Sequence, residues 1–316
     1  MRSDAVTFHF LNVGCGDCTI IYFPPRIRVS DKAKVQERVM MVDIYHDDEM
    51  DGQEDVIKYY KANFADADSR IKPIFRFVCT HPHQDHICGL SELWADNKIA
   101  ILNFWDIEHS FKPEEFTHRT HEADWKLYCQ KRTSKGGPTV IRTDREDTPR
   151  QFWNDAEDSI HVLSPSKTLR DFAHYTQDQE RKKRNGAEVQ IDEMSYFLVV
   201  YVNSRKVILP GDGRATPLWQ EIYEKCPSEI KEAVVLKAGH HGHECAFHED
   251  AVKLIDPSLV VISNSAEEDK KNGAGKLYLK AVPRSKVLKT CDSGTITIEV
   301  PFELSNPAVY SGEPSV

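Results

Sequence analysis

Short, nearly unbroken apolar runs alternate with amphipathic stretches along the chain. Residues 6–13 and 19–23 read as strands separated by Gly14-Cys15-Gly16-Asp17, and a third strand is predicted over 39–44 after a charged loop. Val56, Ile57, Tyr60 and Phe64 fall on one face of a helix predicted over 54–64. Residues 74–79 then read as a buried strand, 89–95 as a short helix and 99–105 as a further strand. From about 107 to 190 the sequence turns polar, with a Gly/Ser/Lys stretch over 131–138 and a strongly charged run over 177–184. This part is predicted as a cap or insertion interrupted by one core strand, 159–163.

The second half repeats the logic of the first. Strands are predicted over 196–202 and 207–209 as a hairpin, then a helix over 216–225, a strand over 233–236, a helix over 249–254 and a strand over 259–263. A final strand pair brackets Gly294. Two β-rich halves with helices between their strands predict an α/β protein: an αββα sandwich of two mixed β-sheets packed face to face and flanked by helices. The expected organisation is one domain over 1–316 carrying the polar insertion.

Composition narrows the setting. Hydrophobic residues make up 40% and charged residues 29%, enough for a core under a polar surface. The run Tyr196-Phe197-Leu198-Val199-Val200-Tyr201-Val202 is far shorter than the roughly 20 residues of a membrane span. The N-terminal residues lack the apolar centre of a secretory signal, so a cytoplasmic protein without a membrane part is expected. Eight scattered cysteines read as reduced thiols. A net charge of −9 argues against a general nucleic-acid-coating surface, while Arg181-Lys182-Lys183-Arg184 offers a local basic run for phosphates or a protein partner.

The densest chemistry is Thr80-His81-Pro82-His83-Gln84-Asp85-His86, which follows directly on a predicted strand. A single histidine is usually a hydrogen-bonded residue. Here His81, His83, Asp85 and His86 crowd one loop, and imidazole with carboxylate suits zinc, manganese or iron. Leu209-Pro210-Gly211-Asp212 places another carboxylate after a strand, and Lys237-Ala238-Gly239-His240-His241-Gly242-His243 repeats the arrangement with histidines.

Together with Phe10-Leu11-Asn12-Val13-Gly14-Cys15-Gly16-Asp17, these segments resemble the metallo-β-lactamase superfamily and, more narrowly, its ComEC-type branch. That branch includes the soluble domain of the DNA-uptake channel and bacterial phosphorylcholine esterases. The resemblance runs from about residue 6 to 300 and covers 107–190 and 264–285 poorly; Thr290-Cys291-Asp292-Ser293-Gly294-Thr295-Ile296 looks like the branch's closing hairpin. It implies two divalent metal ions, zinc first and manganese or iron as alternatives. His81 and His83 would serve site one, Asp85 and His86 site two, and Asp212 would bridge them, with one of His240 and His241 completing the set.

Three departures stand out. His243 replaces the usual Ser or Thr, and Cys15 replaces a common Gln, giving Cys15-Gly16-Asp17-Cys18, in which Asp17 is expected to orient a ligand histidine. The histidine that usually completes site one is not evident, leaving Asp192, His109, His118, His121, His161 or a water as candidates. The resemblance implies a hydrolase using a metal-bridging hydroxide, with Asp85, His240 and His241 as catalytic candidates. The expected substrate is a phosphodiester in a nucleotide, nucleic acid or small phosphorylated compound. The alternatives are a lactam, lactone or thioester hydrolase, and a metal-binding regulatory or assembly subunit without turnover.

Overall fold

The structure, a computed structural model, describes residues 4–27, 32–47, 52–109, 119–133, 136–147, 158–171, 191–303 and 306–311. His118 and the basic run at 181–184 lie outside these residues.

Among the described residues, two mixed sheets of eight and six strands form the centre. The first has eight strands: β1 (Ala5–Phe10), β2 (Thr19–Phe23), β5 (Arg38–Val42), β6 (Ile74–Val78), β7 (Asn103–Trp105), β8 (Thr139–Ile141), β15 (Ile296–Pro301) and β16 (Ala308–Ser311), in the order β16-β15-β1-β2-β5-β6-β7-β8. A two-stranded ribbon, β3 (Arg26–Ile27) and β4 (Lys34–Val35), lies between β2 and β5 in the chain. The second sheet has six strands: β9 (Asp158–Ser164), β10 (Phe197–Val202), β11 (Arg205–Leu209), β12 (Val235–Lys237), β13 (Leu259–Ile262) and β14 (Lys286–Lys289), in the order β14-β13-β12-β11-β10-β9. Each sheet changes from antiparallel to parallel pairing, at β5–β6 in one and at β11–β12 in the other.

The apolar runs follow from burial on both faces. Val6, Phe8, Phe10, Ile21, Met40 and Val42 of the first sheet meet Val162, Leu198, Val200, Val207 and Leu209 of the second in the central layer. Alternate residues face outward. Ile20, Tyr22, Met41 and Phe77 pack under α1 (Val56–Asn63), which contributes Val56 and Tyr60, and under α3 (Leu90–Ala95), which contributes Leu90 and Leu93. On the other side Phe197, Val199, Ile208, Leu236 and Val260 lie under helices Gln220–Lys225, Glu249–Ile255 and Ala274–Ala281. The result is the αββα sandwich of two mixed sheets anticipated from the sequence. No helix among the described residues is long and apolar enough to cross a membrane.

Two expectations are corrected. The described part of 107–190 adds more than one strand to the sandwich: α4 (Arg119–Lys131) buries Tyr128 on the outer face, and β8 is an edge strand. The segment around Gly294 is not a hairpin. β14 pairs with β13 in the second sheet and β15 with β1 in the first, so Thr290–Ser293 and Gly294 carry the chain from one sheet to the other. Both flanking strands had the right apolar pattern, but alternation alone does not say which sheet a strand joins.

Candidate metal centre

The ends of β5, β6, β11 and β12 converge at one end of the sandwich, where open α/β sheets gather their functional side chains. Loops leaving a strand end are free of its strict alternation, so neighbouring side chains can turn to the same side. Thr80 to His86 leave β6 in this way, with Gln84–Ile87 forming a single helical turn, α2. Asp212 follows β11 through a turn in which Gly211 has φ +58°; a Cβ there would come within 2.9 Å of the Ser195 Cβ. His240 and His241 follow β12 with φ of 48° and 52°, the left-handed region that costs non-glycine residues energy and recurs at functional sites. The glycine loop packs alongside: a Cβ on Gly16 would meet the Tyr45 ring at 2.2 Å and the Asp85 carbonyl at 2.7 Å.

Two groups of donors result, with Asp212 in the inner one. In the outer group His81 Nε2 lies 3.1 Å from His83 Nδ1, and Asp192 Oδ1 lies 3.1 Å from His83 Nδ1 and 3.8 Å from His81 Nε2. In the inner group His86 Nε2 lies 3.0 Å from Asp212 Oδ2, and His241 Nε2 lies 3.1 Å from Asp85 Oδ2 and 3.5 Å from Asp212 Oδ2. Asp212 Oδ2 is 3.9 Å from His81 Nε2, and Asp212 Oδ1 is buried without a hydrogen-bond partner.

Outer contacts fix the rings. Asp43 accepts from His86 Nδ1 at 2.8 Å and from the Thr80 amide and hydroxyl at 2.7 and 2.6 Å. Asp17 stands behind His241, its Oδ1 3.6 Å from Nδ1, and forms a 2.5 Å ion pair with the buried Lys237. Asp17, His86, Asp212 and His241 offer donor atoms within 4.8 Å of one another. His241 turns Nε2 toward Asp85 and Asp212 and Nδ1 toward Asp17, so Asp85 and Asp17 flank the ring on opposite sides.

The electrostatics of the two groups test their fit to a cation. Burial opposes charge on His86, yet Asp212, Asp43 and Asp85 hold its pKa well above the ordinary value; burial likewise opposes charge on His241, and Asp212 and Asp17 raise it. Burial and the neighbouring charges of His86 and His83 push His81 down. Against its own burial, Asp192 is drawn down to about 2 by His83 and His81, and Asp212 is held far below the carboxylate range by His86 and His241. Buried carboxylates therefore hold protons on two imidazoles as countercharge. Divalent cations would satisfy the same carboxylates and displace those protons, so this donor set fits metal.

Of the open candidates for the site-one position, Asp192 lies with His81 and His83. Three histidines do not: His109 Nε2 contacts the Tyr128 hydroxyl at 2.6 Å, His121 contacts Gln84, and His161 pairs with Glu229 at 3.1 Å on an outer face. His240 belongs to neither group. Its side chain is 24% exposed at the mouth, with Nε2 3.9 Å from Asp212 Oδ2 and Nδ1 3.4 Å from Cys245 Sγ. His243 pairs with Glu268 at 2.9 Å. Cys18 is buried with its thiol pushed up by burial, and Cys15 bonds Ser265, so neither thiol meets the donor groups. Sequence reasoning missed Asp43, which closes a predicted strand and carries no motif, and Arg214, whose Nε lies 3.3 Å from Asp192 Oδ2.

No family profile matches the sequence, and no curated protein sequence does. Several solved structures are similar. CmlA from Streptomyces venezuelae, a diiron β-hydroxylase, aligns with 98% of this chain and 55% of its own at 10% identity and a TM-score of 0.50. Igni18, a metallo hydrolase from the archaeon Ignicoccus hospitalis, aligns over 92% of this chain and 98% of its own at 14% identity and a TM-score of 0.47. The metallo-β-lactamase fold protein YhfI from Bacillus subtilis aligns over 96% and 99% at 10% identity and a TM-score of 0.47. The chain spans about half of CmlA and nearly all of the other two. What is shared with CmlA is fold alone: two mixed sheets packed face to face and flanked by helices.

Proposed function

We propose that this chain is a dinuclear metal-dependent hydrolase acting on a phosphodiester. The observation that carries the reading is Asp212, a buried donor of the inner group whose Oδ2 lies 3.9 Å from His81 Nε2 of the outer group and whose Oδ1 lacks a hydrogen-bond partner. His81, His83 and Asp192 would hold one ion, Asp85, His86 and His241 the other, and Asp212 both. Two divalent ions so held supply a strong nucleophile from water at neutral pH and stabilise charge on a phosphoryl oxygen.

The chain's own residues divide the remaining work. Asp43 keeps the His86 proton on Nδ1, so that Nε2 faces inward. Asp17, held by Lys237, stands 3.6 Å from His241 Nδ1 and favours the same ring orientation through its charge rather than a hydrogen bond. At the mouth, His240, which burial keeps neutral at physiological pH, is placed to accept a hydrogen bond from substrate or from the attacking water. Arg214, with 30% of its side chain exposed beside Asp192, meets a non-bridging phosphoryl oxygen; this cation at the mouth favours a phosphodiester over an uncharged lactam.

The test is metal content by elemental analysis, run alongside hydrolysis of bis-p-nitrophenyl phosphate and a lactam reporter. Wild type should hold about two ions per chain and turn over the diester. Asp85→Ala and Asp212→Ala should each lose roughly 100-fold or more, beyond the cost of removing an outer partner. Less than one ion per chain, or turnover indifferent to both changes, would favour a regulatory or assembly subunit. Preference for the lactam would replace the substrate class.

A further inference from the structure

Resting on the dinuclear reading above, we propose that Asp192 shifts the metal preference of the outer half of the centre away from zinc and toward iron(II) or manganese(II), relative to a third imidazole in its place. The donors grouped there are two imidazole nitrogens and one carboxylate oxygen, and among the described residues no sulfur or third imidazole joins them. Zinc and iron(II) both accept two imidazoles and one carboxylate with positions left open, but a hard carboxylate oxygen in place of an imidazole nitrogen shifts the balance toward manganese and iron.

Three features make the donor set specific to this chain. Arg214 engages Asp192 Oδ2 at 3.3 Å, which leaves Oδ1 facing the two imidazoles as a single oxygen donor. The His83 side chain is 45% exposed, so solvent or substrate atoms have access to complete a six-coordinate shell. The nearby thiols are turned to other partners, Cys245 to His240 Nδ1 and Cys15 to Ser265 Oγ, so no soft ligand biases the site toward zinc. The inner half repeats the composition with Asp85, His86 and His241.

Zinc binds most sites more tightly than manganese or iron(II), so the informative quantity is an affinity ratio and its change on substitution. Metal-stripped wild type, Asp192→His and Asp192→Asn are titrated with manganese(II) in competition with zinc(II). Manganese is followed by electron paramagnetic resonance and zinc by a chromophoric chelator, with an anaerobic iron(II) series in parallel. Asp192→His should lower the manganese-to-zinc ratio of one binding step about tenfold or more and leave the other step nearly unchanged. Asp192→Asn, which keeps the shape and removes the charge, should weaken manganese more than zinc, and it carries the test if the histidine variant does not fold. Ratios within about threefold of wild type at both steps, or equal loss of both ions in Asp192→Asn, would overturn the proposal. Wild type that takes up neither ion would remove the dinuclear reading itself.

Discussion

His86 is gripped from behind by Asp43, whose carboxylate also takes both Thr80 donors. Such a partner fixes the tautomer and direction of a ligating ring, and its removal typically costs 10–100-fold in metal affinity. Asp43→Asn is therefore expected to lose metal at a free-ion concentration that saturates wild type, measured by equilibrium dialysis against a metal buffer. Unchanged affinity would mean that Thr80, 3.4 Å from His86 Nδ1, suffices to hold the ring. At this scale the motif was legible and the support from Asp43 was not. His81, His83, Asp85 and His86 announce themselves because one loop concentrates them, whereas Asp43 is a lone polar residue at the end of an apolar run. Whether His240 or His241 enters the donor group depends on consecutive left-handed backbone angles, which a string of residue types does not encode.

Strands and helices were legible wherever both faces of a strand, or one stripe of a helix, are apolar. The helix predicted over 54–64 is observed at Val56–Asn63, capped by the Asp55 carboxylate on the Lys58 amide. Legibility failed where partner choice decides, as in the crossover after β14, and where a short edge strand such as β8 is only partly buried. The joint between β1 and α1 supplies a pH test. His9 on β1 is buried with Nδ1 2.8 Å from the Tyr59 hydroxyl and Nε2 unpartnered, and burial pushes its pKa down to about 4. The unfolded chain, with a value near 6.5, takes up this proton first as pH falls. The stabilisation is complete above pH 6.5 and is lost between 6.5 and 4, on the order of 3 kcal/mol in all. His9→Gln should flatten the fall in Tm across that window, as read from thermal melts of the metal-free protein. An equally steep fall in the variant would assign the slope to other groups.

Across the whole molecule the two sheets are tied at opposite ends by different chemistry. Away from the metal centre, Asp158 of the second sheet accepts from Arg26 at 2.8 Å and from Arg38 at 2.7 Å, beside the buried Arg76, whose pKa burial and Arg38 push down to about 9. Removing that carboxylate leaves buried cations without their countercharge, so Asp158→Ala should cost about 3–5 kcal/mol in urea unfolding. At the other end the candidate ligands come from both sheets, His81 to His86 after β6 and Asp212 and His241 after β11 and β12, so a bound ion joins the sheets and stabilises only the folded chain. At a free-ion concentration 100 times the Kd, each ion contributes about 2.7 kcal/mol, which chelation should remove as a fall in Tm. Because the two ties lie at separate ends and share no residue, their effects should add. The metal-dependent gain should persist in Asp158→Ala, on a lower baseline, and largely vanish in Asp212→Ala. A gain that survives in Asp212→Ala would mean that the ions sit elsewhere; one that disappears in Asp158→Ala would mean that closing the far end of the sandwich is a precondition for assembling the centre.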